Sequence, residues 1–183
     1  MDALTILFAI NYRLGSNFAR TSLSPQLSRP KEDGFVTLTR KIWKLAPNGT
    51  TAEDAEAYRQ RVPHILKAPA AIHFVSYEPA IGPLGQLDID GLYPDWLIIG
   101  GESGVRSDLI RPTDPRWARD AIAECRRLGA APFLKQWGTY KNNPYVVEAG
   151  HSAQQAMKID PPENGKGGGK LDDRLWRENR EFA

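Results

Sequence analysis

Short apolar runs and one amphipathic segment dominate the middle of the chain. The runs at 71–77, 96–100 and 131–136 are rich in branched and aromatic residues, a pattern typical of strands that are covered on both faces. Between the last two runs, Asp114 begins a segment in which apolar residues recur at helical spacing, and Gly129 follows its end. Because short loops join this strand, helix and strand, we predict a βαβ unit and therefore a parallel sheet.

Weaker patterns predict further elements on the N-terminal side of this unit. Thr51 and Asp54 resemble a capping box that opens a helix, and Pro63 is expected to interrupt that helix before a short second one begins. The segment FVTLTRK, from Phe35, alternates as a strand does. Residues 1–34 open with an apolar stretch and continue as LGSNFARTSLSPQLSRPKEDG, which is rich in Ser, Pro, Arg and Gly. This composition is typical of a long loop or a poorly ordered segment.

Composition divides the chain into three regions. Residues 1–47 are expected to form a divergent or poorly ordered N-terminal segment, and residues 48–140 an α/β core. We expect this core to be a partial (β/α) barrel or an open parallel sheet with flanking helices. Residues 141–183 are a polar C-terminal extension, in which NGKGGGK at 164–170 is predicted to be a flexible linker.

Overall composition excludes several classes of protein. The chain has 183 residues, 41% of them hydrophobic and 25% charged, as in an ordinary globular protein. Its net charge of +2 does not demand nucleic acid, and no apolar run approaches the length of a membrane span. A single cysteine, Cys125, allows no internal disulfide and no multi-cysteine metal site, so we expect a cytoplasmic protein without a metal.

Each of the three predicted strands ends in polar residues. Ligands bind at the carboxyl ends of parallel strands, so these residues are expected to face one pocket that holds a small molecule. Charged residues in this set are candidates for catalysis: Glu78, Glu102 and Lys135. The other members are candidates for binding the substrate: Ser76, Gly100, Gly101, Ser103, Gln136 and Trp137.

Three alternatives to this reading stay open. The charged residues could form an ion network that merely closes the sheet, or Glu78 and Glu102 could be the acid and the base or nucleophile of a glycoside hydrolase. A nucleic-acid- or protein-binding module would use the arginines around the predicted helix, although a solvated helix face is favoured for them because aspartates are interleaved. These arginines are Arg106, Arg111, Arg116 and Arg119.

Several motifs between Thr51 and Trp176 resemble those of one bacteriophage and prophage protein family. They are RVPHILKAPAAIHFVSYEPAIGPL, DWLIIGGESG, PFLKQWG and GGGKLDDRLWRE. This family is described as having a three-cysteine motif and a radical-SAM-like barrel. The resemblance implies that the strand ends listed above line the mouth of a barrel, and that the full-length family uses S-adenosylmethionine and a [4Fe-4S] cluster.

The chain departs from that family near its N-terminus. Residues 1–47 lack the cysteine cluster, so this chain alone is expected to bind neither cofactor. The resemblance therefore implies a truncated phage-type barrel of unknown function that keeps a polar ligand mouth without its iron-sulfur site. An incomplete barrel leaves strand edges unpaired, so we expect an open sheet, marginal stability or a protein partner that completes the barrel.

Overall fold

A four-stranded parallel sheet forms the centre of the protein. The computed structural model describes residues 47–104, 106 and 108–179. The strands follow one another in the sheet in chain order, and neighbouring strands are parallel. They are β1 (Pro47–Thr51), β2 (Ile72–Tyr77), β3 (Trp96–Gly100) and β4 (Ala131–Gln136). The prediction of a mixed α/β fold with a parallel sheet is confirmed.

Two long helices flank the sheet. Helix α1 spans Ala55–Lys67 and α2 spans Pro115–Leu128. The N-cap Asp114 accepts a hydrogen bond from the backbone of Arg116, and Gly129 ends α2 in the left-handed conformation, with φ 77°. The crossover from β3 through α2 to β4 is the βαβ unit that the sequence predicts.

Short elements follow β4 and surround the end of the sheet. Helices α3 (Pro144–Val147) and α4 (Ala153–Ile159) are each brief, and 3₁₀ turns occur at Tyr140–Asn142 and Pro162–Asn164. Strands β5 (Lys170–Leu171) and β6 (Arg174–Leu175) form a small antiparallel hairpin. None of the helices in the described part of the chain has the length and hydrophobicity needed to span a bilayer.

The main core lies between the helices and one face of the sheet. Side chains alternate along a strand, so Val75 and Tyr77 of β2 share this face with Leu97 and Ile99 of β3. Residues from α1 and α2 complete the cluster, including Val62, Leu66, Ile122 and Cys125. Burial of this apolar surface stabilises the crossover connections against the sheet.

The opposite face of the sheet carries an aromatic row. The ring of Trp96 lies 6.1 Å from that of Phe74 and 6.0 Å from that of Phe133, measured between centroids. Gly49 of β1 lies beside this row, because a Cβ atom there would be 2.5 Å from the Phe74 ring. This row occupies the amino-terminal part of the same face on which the candidate ligand residues lie further along the strands.

The C-terminal tail covers the outer edge of β4. Leu134 donates its backbone N–H to the carbonyl of Trp176 at 2.8 Å, and Glu178 donates to the carbonyl of Pro132 at 3.1 Å. Phe133 and Arg177 form an antiparallel bridge between these bonds. The unpaired strand edge expected for an incomplete barrel is therefore covered here by the chain itself.

Two local predictions on the N-terminal side are wrong. Helix α1 continues through Pro63, because Val62 and Leu66 on either side are buried in the core and hold the helix in place. Thr51 ends β1 and does not open the helix; Asp54 is the N-cap and accepts from the N–H of Ala57 at 2.9 Å. The strand predicted from Phe35 and the rest of segment 1–46 lie outside the described residues.

The glycine-rich segment at 164–170 is packed, in contrast to the flexible linker that its composition predicts. Buried Asp160 accepts hydrogen bonds from the backbone of Gly169 at 3.0 Å and of Lys170 at 2.9 Å. It also accepts from the side-chain amides of Asn143 at 2.8 Å and Asn164 at 3.0 Å. The glycines are needed because the chain passes directly against neighbouring backbone and side-chain atoms there.

Candidate functional site

The polar residues after β2, β3 and β4 lie at one edge of the sheet. The three strands are parallel and adjacent, so their carboxyl ends meet there. The register pairs Ser76 with Ile98, and Ile98 with Phe133, so Glu78 and Lys135 project from the same face of the sheet. The arrangement that the sequence predicts for these two residues is present in the structure.

Glu78, Lys135 and Gln136 form a connected polar cluster. The Lys135 ammonium donates to both carboxylate oxygens of Glu78, at 3.0 and 3.3 Å. The side-chain amide of Gln136 donates to Glu78 Oε1 at 2.9 Å and to the carbonyl of Gly101 at 2.7 Å. The side chains of Glu78 and Lys135 are 19% and 31% exposed, so the ion pair is partly desolvated yet can be reached from solvent.

One acceptor in this cluster is unused. Gln136 is 5% exposed, and its Oε1 atom is buried without a hydrogen-bond partner among the described residues. The assignment of the amide is clear, because its nitrogen faces two oxygens, from Glu78 and Gly101. Leaving a buried acceptor unpaired costs about 1–3 kcal/mol, so this atom has the capacity to accept one further hydrogen bond.

Gly100 provides the space that the Glu78 carboxyl group occupies. A Cβ atom at this position would lie 2.9 Å from the carboxyl carbon of Glu78. The glycine therefore shapes the site through Glu78. Ser76 of β2 precedes Glu78 by two residues, so it is on the same face, and it is buried.

Glu102 is bound to a different partner. Its carboxylate accepts hydrogen bonds from the backbone N–H of Arg111 at 2.7 Å and from Arg111 Nε at 3.1 Å. These hydrogen bonds from Arg111 lower the pKa of Glu102 below its ordinary value. Ser103 is exposed immediately after it. The structure thus places Glu102 in an ion pair with the loop before α2, separate from the Glu78 cluster.

Gly101 and Gly138 allow the segments that follow β3 and β4, here called the exits of these strands, to lie in direct contact. The N–H of Gly101 donates to the carbonyl of Gln136 at 3.0 Å, and a Cβ atom on Gly101 would overlap the backbone of Trp137. Gly138, with φ 77°, lies equally close to the backbone of Glu102. Close approach of two backbones, rather than of a ligand, explains both glycines.

Trp137 lies in the core, which corrects its prediction as a ligand-binding residue. The side chain is fully buried, and its indole N–H donates to the carbonyl of Lys170 at 2.9 Å. The residue follows Gln136 and turns its side chain toward the helix-covered face, where it packs in the main apolar cluster. Its role is to attach the β5–β6 hairpin to the sheet.

The arginines near α2 are all paired with carboxylates. Bidentate contacts join Arg106 to Asp108, Arg111 to Glu102 and Arg116 to Asp114. Arg119 contacts both Glu148 and Asp172, each at 2.7 Å. The interpretation of a solvated, charge-balanced helix face agrees with these contacts, because a phosphate-binding patch would present guanidinium groups without such partners.

The residues of this chain do not fit an iron-sulfur cluster. Such a cluster needs several thiolates, whereas Cys125 is the single cysteine and lies on the core side of α2. Burial raises the pKa of its thiol to about 12, so the thiolate that a metal requires is disfavoured. Across the described residues, no group of three or more His, Cys, Asp or Glu side chains is placed to hold a metal ion.

Arg177 is a site residue that sequence reasoning missed. Its guanidinium lies over the ring of Phe133, 4.9 Å from the centroid, and Nη2 donates to the carbonyl of Lys135 at 3.2 Å. Arg177 stands among several charged residues of the tail, and neither charge nor spacing distinguishes it. Only the pairing of the tail with β4 brings it beside the polar cluster.

Comparison with known proteins gives a family and no function. No curated protein and no solved structure matches this chain significantly. Residues 18–180 match a family described as protein of unknown function (DUF5131). The match includes the parallel sheet, both long helices and the C-terminal elements, and it begins on the N-terminal side of the motifs between Thr51 and Trp176. The chain therefore belongs to the DUF5131 family.

Proposed function

We propose that this protein binds a polar small molecule at the carboxyl end of its parallel sheet. The binding groups are the carboxylate of Glu78, the ammonium of Lys135 and the amide oxygen of Gln136. The observation that carries the proposal is the buried Gln136 oxygen, which has no partner among the described residues although it lies beside an ion pair. A ligand that donates an N–H or O–H group would satisfy it.

The position of the cluster supports the same proposal. Parallel α/β proteins bind ligands beyond the carboxyl ends of their strands, and Glu78, Lys135 and Gln136 lie there. Two surface cavities formed by described residues lie elsewhere: one beside Arg126 and Ala131 at the amino end of β4, the other between α1 and residues 84–90. Neither cavity is lined by the residues of the polar cluster. The proposed site is therefore supported by its polar groups and not by the size of a cavity.

We infer that the fold descends from a radical-SAM-like barrel of phage or prophage type. The motif resemblance and the parallel sheet with helices on one face support this descent. Because Cys125 alone does not fit a cluster, the proposal includes no radical step. Anaerobic reconstitution with iron and sulfide should therefore yield no visible cluster absorbance, and a spectrum typical of a [4Fe-4S] centre would contradict this part.

The other two hypotheses receive less support from the contacts. In a glycoside hydrolase one carboxyl group must donate a proton, but Arg111 holds Glu102 ionised and Lys135 occupies both oxygens of Glu78. For a nucleic-acid-binding module, arginines such as Arg119 are already neutralised by carboxylates.

The binding proposal can be tested by NMR without knowing the natural ligand. Uniformly ¹⁵N-labelled protein is titrated with a mixture of the twenty amino acids and, separately, with the four ribonucleosides, since both classes carry N–H and O–H donors. We expect shift changes to concentrate at Gly101 and at the backbone and side-chain amides of Gln136. The variant Gln136→Met, which keeps the length of the side chain, should abolish the shift change at Gly101.

A matched control separates a site effect from a general one. Gln60→Met changes an exposed glutamine on α1 whose amide donates to Glu56 at 3.1 Å, so it should leave the titration unchanged. Shift changes that are spread over the surface, or that persist in Gln136→Met, would refute the proposal. So would the absence of any change with both mixtures.

A further inference from the structure

Arg177 differs from the other paired arginines of the described residues. Eight of those arginines contact a carboxylate: Arg61, Arg106, Arg111, Arg116, Arg119, Arg126, Arg127 and Arg174. Arg177 donates instead to two neutral carbonyls, those of Lys135 and Asn164. Within the described part of the chain no carboxylate forms an ion pair with it. A partly buried guanidinium without a counter-ion is an uncommon arrangement, because desolvating a charge is costly.

One donor atom of this guanidinium is unused. Nη1 of Arg177 is buried and makes no hydrogen bond to any described residue. Burial lowers the pKa of Arg177, because desolvation penalises its charged form. Asp160 exerts a coulombic effect on Arg177, but two backbone N–H groups and two side-chain amides already occupy the oxygens of Asp160. An oxyanion from outside the chain would supply the missing acceptor.

Lys135 connects Arg177 to the proposed ligand site. Its backbone carbonyl accepts from Arg177, and its side-chain ammonium reaches Glu78, which also accepts from Gln136. Two buried atoms without partners among the described residues therefore belong to neighbours of Lys135. One is a cationic donor on Arg177, which bonds to the Lys135 carbonyl, and the other is a neutral acceptor on Gln136, the next residue in the chain. They are chemically complementary to a molecule with an oxyanion at one end and an N–H or O–H donor at the other.

We propose that Arg177 binds the anionic group, a carboxylate or a phosphate, of the ligand that occupies the Gln136 site. This inference rests on the proposed function and narrows its ligand class to amino acids, hydroxy acids or phosphate esters. Arginine suits the role because its planar group forms directed hydrogen bonds with either oxyanion. The tail that covers the edge of β4 then serves two purposes, since it pairs with the strand and delivers the cation.

The test follows the guanidinium directly. Protein carrying ¹⁵N-labelled arginine is titrated with inorganic phosphate, with acetate and with neutral acetamide at constant ionic strength. We expect phosphate or acetate, and not acetamide, to shift the Arg177 side-chain resonances in a saturable way. Comparison of the phosphate and acetate titrations identifies which oxyanion is preferred.

Two substitutions make the result decisive. Arg177→Gln removes the charge and should weaken binding of the preferred oxyanion at least about 10-fold, the scale of one charge-assisted hydrogen bond. Arg174→Gln is the matched control, since Arg174 lies in the same tail against Trp176 and is 55% exposed. It should leave the affinity unchanged. If Arg177→Gln does not fold, Arg177→Lys keeps the charge but loses the fork of donors and should show the same direction of change.

The outcomes separate this inference from the proposed function. Loss of amino-acid or ribonucleoside shifts in Gln136→Met together with unchanged oxyanion binding in Arg177→Gln would refute the role of Arg177 and keep the Gln136 site. Oxyanion binding that needs Arg177, with no effect at Gln136, would refute the shared ligand. If no oxyanion shifts the Arg177 resonances, the residue only anchors the tail and the inference is wrong.

Discussion

Replacing Gly138 by alanine should destabilise the protein by about 2–5 kcal/mol, more than the same change at Gly129. Both glycines have φ 77°, a conformation that costs an L-residue roughly 1–2 kcal/mol. They differ in their surroundings. A Cβ atom at Gly138 would lie 2.6 Å from the carbonyl carbon of Glu102 and 3.0 Å from that of Gly101. A Cβ atom at Gly129 would have no described residue other than its chain neighbours within 4 Å.

The difference between the two variants isolates the contact between the β3 and β4 exits. Gly129→Ala measures the backbone cost alone, so we expect a loss of about 1–2 kcal/mol. Gly138→Ala adds an overlap with backbone atoms, which cannot rotate away, and overpacking of this kind adds roughly 1–3 kcal/mol or more. The predicted excess is a large part of the roughly 5–15 kcal/mol that stabilises a typical domain.

Urea unfolding followed by circular dichroism measures both free energies. Equal slopes with shifted midpoints would indicate a change in stability rather than in the unfolded state. If the unfolding free energies of the two variants differ by less than about 0.5 kcal/mol, the backbones that follow β3 and β4 are not in close contact. The geometry that positions Gln136 beside Gly101 would then be incorrect.

Three further predictions concern other parts of the described structure. Asp160→Asn should lower the unfolding free energy measured in urea by about 2–4 kcal/mol, because an amide group would face donors where an oxygen now accepts. The control Asp108→Asn, on the surface, should cost under about 0.5 kcal/mol. Equal losses would contradict the packed glycine-rich segment. The Cys125 thiol should react with a maleimide only after unfolding, as followed by mass spectrometry; rapid native labelling would contradict its burial. Arg111→Gln should raise the pKa of Glu102 toward its ordinary value in an NMR titration. Because the pKa is depressed in the folded state, the ion pair stabilises the wild-type protein at neutral pH. The difference in unfolding free energy between wild type and variant should therefore disappear as the pH falls through that pKa. A difference that does not change with pH would refute the ion pair.

Local patterns were sufficient where local interactions decide the structure. Asp114 and Gly129 bound α2 as predicted, because an N-cap side chain and a left-handed glycine act on atoms a few residues away. The apolar runs become strands of a parallel sheet because short connections through a helix allow one arrangement. The strand β1 was missed since its PNGTT sequence has no apolar alternation and relies on backbone pairing with β2.

Helix α1 shows how packing overrides a local signal. Proline removes a backbone hydrogen bond and normally ends a helix, yet α1 passes through Pro63. Buried Val62 and Leu66 contribute more stability than the missing bond removes. In the same way, the glycines at 164–170 suggest flexibility by composition, but Asp160 binds their backbone in one conformation.

The candidate site was predictable in part. Parallel strands must bring their carboxyl ends to a common edge, so the sequence alone predicted that Glu78 and Lys135 would meet. It could not predict that Glu102 would pair with Arg111, that Trp137 would enter the core, or that Gln136 would be left with an unused oxygen. For Glu102 and Trp137 the outcome depends on side-chain directions after the strands end, where the alternation of a strand no longer applies. For Gln136 it depends on a register shift between β3 and β4 beside Gly100.

The sequence by itself determined the α/β class, the crossover helix with its caps and the edge of the sheet where polar groups gather. Hydrophobic periodicity and capping act over a few residues and are therefore visible in the order of amino acids. Only the tertiary structure decided which charges pair, which glycines separate backbones and that Arg177 lies beside Lys135. These contacts join residues far apart in the chain, and their free energies depend on burial and distance, which exist only once the chain has folded.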